Sequence, residues 1–293
     1  CRSISMGNLA LAAKSRYNAK LIFDMRGWWA DEKKESGLWK SWIFRPIYFY
    51  FKKLEARLFQ ESDQVISLTH AGATEIVDKK LKLIDQVSVI PTCVDFEVFQ
   101  PFNPGLRQEI RKSLKISRTA KVILYSGSLG GNYSLEIIEK LYKAFKIQEL
   151  EVVILFLTTS KGEVQAQLAD SEILPEDIRM HGCSYAEVYR YLMVGDIGVV
   201  NYKKTFSAIG RSPTKLGEYW ACGLPAICEK GIGDVDFLIT KYPSSGFLVD
   251  LNISQDFIEA VEFFNSNQLT ALDLRNYALD YYALINGIHS YEN

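Results

Sequence analysis

Ser212-Pro213-Thr214-Lys215-Leu216-Gly217-Glu218-Tyr219-Trp220-Ala221-Cys222-Gly223-Leu224-Pro225 is the stretch around which the rest of this chain can be arranged. Ser212 is a favoured N-cap, Pro213 suits the first helical position, and Gly223 followed by Pro225 stops the turn, so the pattern predicts one short helix. The leading N–H groups of such a helix lack internal partners, and with the aligned peptide dipoles they favour an anion such as a phosphate. Ser212, Pro213 and Thr214 would frame that anion, and Lys215 would add a full charge. Glu218 lies three residues on, on the same face one turn deeper, where a carboxylate can accept hydrogen bonds from a ribose diol. Phosphate first and sugar hydroxyls second is the order of groups in a nucleotide. The plainer reading is an ordinary capped helix with an exposed Lys–Glu pair.

Further out, the chain alternates apolar runs with helical patterns. Val122–Tyr125, Val152–Phe156, Ile178–His181, Ile197–Val200, Ala226–Cys228 and Phe247–Val249 read as strands separated by helices, which means a doubly wound parallel sheet. The first of these runs into Ser126-Gly127-Ser128-Leu129-Gly130-Gly131-Asn132, a glycine-rich turn that lets backbone approach a ligand but lacks GxGxxG spacing. Towards the N-terminus, Leu21–Phe23, Gln64–Thr69 and Val87–Pro91 are further strands, and Asn8 to Lys14 reads as a short helix. Asp24 and Arg26 follow the first of them at the carboxyl edge, where open α/β sheets place ligands. They are candidate catalytic residues beside Lys215, although an Asp–Arg pair bracing a loop is as good a reading. The proline-rich segment Phe99–Gly105 reads as a linker between two domains.

Composition narrows the function. The 293 residues are 48% hydrophobic and 13% aromatic, enough for two domains with real cores at roughly 100–200 residues each. With 34 basic and 35 acidic residues the net charge is -1, which is no footprint for nucleic acid. The five cysteines are scattered and never spaced CxxC, so neither a disulfide framework nor a zinc site is expected, and a reducing cytoplasm fits best. His70, His181 and His289 are too far apart in sequence to read as a metal or triad cluster. No apolar run approaches the length of about 18 residues that spans a bilayer. From Leu38 to Phe59, however, aromatic residues interleave with Lys40, Arg45, Lys52, Lys53 and Arg57, broken near Pro46. That suits a membrane surface, and it equally suits a helix with one packed and one solvated face, which is the commoner case.

Taken together, Ile90-Pro91-Thr92-Cys93-Val94-Asp95, Tyr125-Ser126-Gly127-Ser128, Asp196-Ile197-Gly198 and above all Pro213-Thr214-Lys215, Glu218-Tyr219 and Ala221–Pro225 resemble the retaining nucleotide-sugar glycosyltransferases of family four. The resemblance runs from about Phe23 to the end of the chain. It implies the GT-B architecture, two Rossmann-like doubly wound domains facing a cleft. Residues 1–100 would be an acceptor-side domain lacking its opening strand, 101–275 the nucleotide-sugar domain, and 276–293 a closing helical segment returning to the first. It also implies that Lys215 neutralises a diphosphate, that Glu218 holds the ribose, and that Gly127 and Ser128 line the donor cleft.

The partners would be a nucleotide diphosphate sugar as co-substrate and a glycan or lipid-linked acceptor, with peripheral membrane contact left open. No metal cofactor is expected: Asp234-Val235-Asp236 has the form of a metal clamp, but Asp234 sits where an N-cap belongs and Asp236 in the turn after it. Two departures stand out. The family's second glutamate, eight positions before Glu218, is replaced by Gly210, and its arginine after the first strand of the second domain is replaced by the Ser128–Gly131 run; Arg211 or Lys203 is the candidate substitute. A sugar-nucleotide epimerase or hydrolase, and a non-catalytic binding member of a glycan-assembly complex, are the alternative functions.

Overall fold

Short apolar runs become parallel strands, and the chain builds two parallel sheets, of which the second is the more deeply buried. The structure, a computed structural model, describes residues 1–129, 133–266 and 270–292. β1 (Ile22–Asp24), β2 (Gln64–Ser67) and β3 (Val87–Val89) pair in parallel in that order. β4 (Lys121–Ser126), β5 (Val152–Leu157), β6 (Ile178–His181), β7 (Ile197–Val200), β8 (Ala226–Glu229) and β9 (Gly246–Val249) form a second parallel sheet in the order β6-β5-β4-β7-β8-β9. All six expected strands of the second sheet are present. Its winding reverses between β4 and β7, the switch point at which such sheets open a crevice.

Alternation along each strand explains why both faces are covered. Val122 and Leu124 of β4 join one apolar cluster with Leu216, Tyr219 and Trp220, while Ile123 and Tyr125 join another with Leu141, Phe145 and Phe257. The first sheet has its own core around Phe23, Trp28, Leu58, Phe59 and Val65. The pairs Tyr125↔Phe156 and Phe156↔Met180 are in register, so the carboxyl ends of β4, β5 and β6 finish at one level. The whole is a pair of Rossmann-like α/β domains of GT-B type.

Several expectations need correcting. Pro46 does not break a helix: Trp42–Phe44 is a 3-10 turn, and Pro46 lies in the first turn of the helix Arg45–Glu61, where its missing N–H costs nothing. The segment from Phe99 is no free linker. Phe99 is fully buried, Arg275 donates to its carbonyl at 2.6 Å, and Asn103 caps the helix Pro104–Ser113 through Leu106 N at 3.0 Å. Asp196 is a structural pin, bonded to Arg107 at 2.7 Å, to Arg111 at 3.3 Å and to Val122 N at 2.8 Å.

A polar seam joins the two domains. Asp234 stands at the N-cap position of the helix Val235–Lys241, yet its side chain does not cap that helix. It instead accepts from His70 N at 2.7 Å and Ala71 N at 3.0 Å, the first turn of the helix His70–Asp78 in the other domain, and from Tyr281 Oη at 2.6 Å. Asp236 accepts from Gly231 N at 2.9 Å. Thr69 Oγ1 donates to Ile209 O at 2.7 Å and Glu35 accepts from Ser207 N at 3.2 Å. The chain's end returns across the seam, with Val94 bridging to Ala283 and Tyr291 Oη donating to Asp24 at 3.1 Å.

Asp234 is 4% exposed, so its removal orphans two helix N–H groups and a tyrosine at once. Asp234→Ala is expected to cost about 2–4 kcal/mol, a charge-assisted cap plus a buried hydrogen bond. Urea denaturation checks this, with Asp234→Asn showing only part of the loss because its amide oxygen still accepts.

Candidate functional site

The helix Thr214–Ala221 begins one residue later than its sequence suggests. Pro213, not Ser212, is its N-cap, and no side chain caps it. Ser212 is drawn instead across the seam, where its Oγ lies 3.0 Å from Thr92 Oγ1 and 3.2 Å from Thr92 N. Leu216 N donates to Pro213 O, which leaves the N–H groups of Thr214 and Lys215 without an intrahelical partner. The inner face of this helix is apolar at the i, i+3, i+4 spacing: Leu216, Tyr219 and Trp220 are fully buried, and Trp220 Nε1 donates to Ser245 O at 3.0 Å. Tyr219 Oη accepts from Ser126 N at 3.2 Å, which ties the helix to the end of β4. Lys215 and Glu218 are thereby held on the opposite face.

Both charged groups border a cavity of about 410 Å³ at the carboxyl ends of β4, β5 and β6. Ser126, Gly127 and Ser128 form one wall, Thr158 and Thr159 another, and Cys183, Ser184 and Tyr185 a third. Gly127 has φ +115° and a side chain there would stand 3.2 Å from Lys215 Nζ, so glycine is needed both for the turn and for the lysine. Lys215 Nζ donates to Tyr125 Oη at 2.9 Å and lies 4.2 and 4.3 Å from the ring centres of Tyr125 and Tyr133. These rings give a cation its π faces but no counter-charge. Burial therefore pushes the Lys215 ammonium down to about 7, and Glu218 relieves this only in part. The same burial pushes the Glu218 carboxyl up to about 7, opposed by Lys215. Glu218 has no hydrogen-bond partner among the described residues, so its acceptors face the cavity.

The remaining expected residues are distributed differently. Gly127, Ser128, Lys215 and Glu218 meet in one place, with Thr214 at the helix start above them. Ser212 and Pro213 shape the approach to the helix rather than the cavity wall. Asp24 and Arg26 are not part of it: Asp24 is engaged by Tyr291 and faces Arg2 at 3.4 Å, and Arg26 is exposed. Residues 130–132 of the glycine-rich turn lie outside the described residues. Thr158, Thr159, Cys183, Ser184 and Tyr185 are lining residues that motif reading passed over, although each follows the end of a strand, where the sheet rule could have found them.

The two departures also have a physical setting. A Cβ at Gly210 would lie 3.1 Å from Trp28 Cδ1 and 3.3 Å from Gly27 Cα, so a side chain here would press on the first domain. Arg211 stands at the same seam, 3.3 Å from Glu32, with its guanidinium over Tyr202. It is not in the cavity with Lys215, and Lys203 lines a separate cavity with Asn201, Lys204 and Glu229.

A crevice at the carboxyl ends of parallel strands, with a lysine and a carboxylate one turn apart on a helix that starts beside it, is where a doubly wound α/β protein places its ligand site. Residues 107–280, more than half of the chain, match the family described as glycosyl transferases group 1, and the chain belongs to that family. Among solved structures it resembles HepE of Anabaena in complex with UDP-glucose, at 15% identity and a TM-score of 0.72, covering 99% of this chain and 76% of that one. It also resembles sucrose-phosphate synthase from Thermosynechococcus elongatus, at 13% identity and a TM-score of 0.69, with 99% and 71% covered. The apo lipopolysaccharide outer core galactosyltransferase WaaB gives 14% identity and a TM-score of 0.66, with 100% and 73% covered. No curated protein sequence matches the chain.

Lys215 and Glu218 set opposite trends of stability with pH. The folded chain releases the Lys215 proton near 7 while the unfolded chain keeps it to the ordinary value of 10.5, so this contribution rises with pH between about 7 and 10.5. Glu218 is protonated in the folded chain up to about 7 but ionises near 4.5 when unfolded, so its contribution falls between 4.5 and 7. Their sum is least favourable near pH 7. Lys215→Met is expected to raise the ligand-free melting temperature at pH 7 by about 2–4 °C, the effect of ~1 kcal/mol in a protein of this size, and to flatten the alkaline rise. Thermal melts of both proteins across this pH range measure it.

Proposed function

We propose that the protein transfers a sugar from a nucleoside diphosphate sugar to a glycan or lipid-linked acceptor, with retention at the anomeric carbon. The observation that carries this reading is the unpartnered Glu218 carboxylate one turn below Lys215 in one cavity, beside a helix start with two N–H groups lacking intrahelical partners. The family supports a transferase, and the UDP-glucose, UDP and UDP-with-glucose complexes of HepE support a nucleotide sugar as donor.

In this reading the diphosphate lies against Thr214 N, Lys215 N and Lys215 Nζ, and the ribose hydroxyls donate to Glu218. The base fills the wall made by Cys183, Ser184 and Tyr185. As the bond from the anomeric carbon to the diphosphate oxygen breaks, its electron pair stays on that oxygen. The growing charge faces the lysine and the helix start, which are oriented beforehand by Tyr125, Tyr219 and Gly127. The sugar becomes oxocarbenium-like, the acceptor hydroxyl adds to it, and its proton leaves with the diphosphate. Lys215 also couples binding to protonation, because an arriving dianion restores its ammonium and the complex takes up a proton.

We also propose that no divalent metal takes part. Both carboxylates of the Asp234-Val235-Asp236 run are already engaged, Asp234 by the helix of the first domain and by Tyr281, and Asp236 by Gly231 N. Nucleotide binding that survives chelation by EDTA is the expected result, and a loss restored by magnesium or manganese would refute it.

The donor side is tested by calorimetry with UDP and other nucleoside diphosphates. Lys215→Ala should weaken binding about tenfold to hundredfold, the worth of a charge-assisted hydrogen bond of roughly 1.5–3 kcal/mol. Glu218→Gln should weaken a ribonucleotide more than its dideoxy analogue. Affinity should also fall as pH rises above about 7, with proton uptake visible as a dependence of the heat on buffer ionisation enthalpy. Products from a panel of nucleotide sugars then test transfer. A new glycoside with the donor's anomeric configuration is expected, while free or epimerised sugar would point to a hydrolase or an epimerase.

A further inference from the structure

The first domain carries its charge unevenly. Residues 1–23 contain Arg2, Lys14, Arg16 and Lys20 and no acidic residue, and residues 36–54 contain Lys40, Arg45, Lys52 and Lys53 and none, in a chain whose totals are 34 basic and 35 acidic. The helices of these two stretches, Gly7–Tyr17 and Arg45–Glu61, lie side by side, with Asn8 Nδ2 donating to Tyr50 Oη at 2.7 Å. Their outer surfaces therefore form one face. Some of the cations are spoken for: Lys52 turns inward to Asp31 and Glu55, Lys14 and Lys20 pair with Asp63, and Arg2 faces Asp24. Arg16, Lys40, Arg45 and Lys53 are exposed and have no acidic partner among the described residues.

The same face carries exposed apolar side chains. The helix Arg45–Glu61 buries Leu54, Leu58 and Phe59, and its other side presents Pro46, Phe49, Tyr50 and Lys53 at i, i+3, i+4 and i+7. Trp42 is 78% exposed and Phe49 59%, with Ile43 between them also outside. In the same segment Trp39 and Phe51 pack with Trp29 at centroid distances of 4.9 to 5.8 Å. Exposed aromatics ringed by uncompensated cations match a bilayer interface, with rings at headgroup depth and ammonium groups among lipid phosphates. A second copy fits poorly, because a two-fold contact around Trp42 and Phe49 would set Lys40, Arg45 and Lys53 against each other, and the exposed carboxylate of the same helix, Glu61, is already paired with Arg57.

We infer that the face formed by the helices Gly7–Tyr17 and Arg45–Glu61, with the exposed Trp42 and Phe49, docks on an anionic lipid bilayer. Flotation of the protein with vesicles of phosphatidylcholine, with and without phosphatidylglycerol, tests it. Binding should require the anionic lipid and weaken as salt is raised. Replacing Lys40, Arg45 and Lys53 together by Gln should weaken it about a hundredfold, roughly fivefold per cation at about 1 kcal/mol each. Trp42→Ser with Phe49→Ser should weaken it at every salt concentration. Because all five side chains are exposed, thermal melts of both variants should match the parent. Absence of binding to anionic vesicles, or binding indifferent to the charge replacements, would overturn the inference. So would a dimer that forms without lipid and is lost in the Trp42→Ser, Phe49→Ser variant, which would assign the face to a second copy.

Discussion

An ammonium withdrawn from water and given aromatic faces in place of a counter-ion is the constraint around which the second domain is arranged. Lys215 would relax towards solvent if the helix carrying it were free to move. The buried residues Leu216, Tyr219 and Trp220 hold that helix down, Tyr219 ties it to the end of β4, and the absence of a side chain at Gly127 leaves the lysine its place. The cost of desolvation is thus carried by the packing of the opposite helix face. In the proposed function a ligand bearing phosphate charge would recover that cost, turning a local destabilisation into affinity. Glu218 stands in the complementary position, an acceptor without donors among the described residues.

The second organising feature is the seam between the domains. It is polar, and several of its bonds use backbone groups that the helix ends would otherwise leave unsatisfied. Asp234 serves the helix His70–Asp78 rather than its own, Thr69 reaches Ile209 while also capping its helix through Gly72 N, and Ser212 meets Thr92. The bonds are numerous and several are buried, and apolar contacts run beside them, with the Trp28 ring 5.4 Å from that of Phe206 and Ile209 packed against the core of the first domain. The close approach of Gly27, Trp28 and Gly210 is what that arrangement requires of the chain.

Most of the sheet was legible in advance because parallel strands buried on both faces are short unbroken runs of Val, Ile, Leu and Phe, bounded by glycine and polar residues. The helix carrying Lys215 and Glu218 was legible for a similar reason: its Gly223 stop and its 3.6-residue apolar spacing are local properties. Two capping assignments and one linker show where local reasoning fails. Ser212 and Asp234 both occupy positions adjacent to helix starts, and both turned to partners more than a hundred residues away, because a backbone N–H in another domain was nearer and equally in need. Phe99 lies in a proline-rich segment with every sign of a linker, yet a buried aromatic contributes more when packed than when solvated.

The amino-acid sequence by itself determined the elements, their parallel order and the presence of Lys215 and Glu218 on one helix face, since all of these follow from spacing along the chain. Only the tertiary structure decided what those two residues are worth. Burial that brings both to about pH 7, the walls supplied by Thr158, Thr159 and Cys183–Tyr185, and the exclusion of Asp24 and Arg26 depend on which strand ends finish at one level. Desolvation is a property of everything that surrounds a group, and the surroundings of Lys215 come from stretches that lie tens of residues apart and meet only when the sheet is complete.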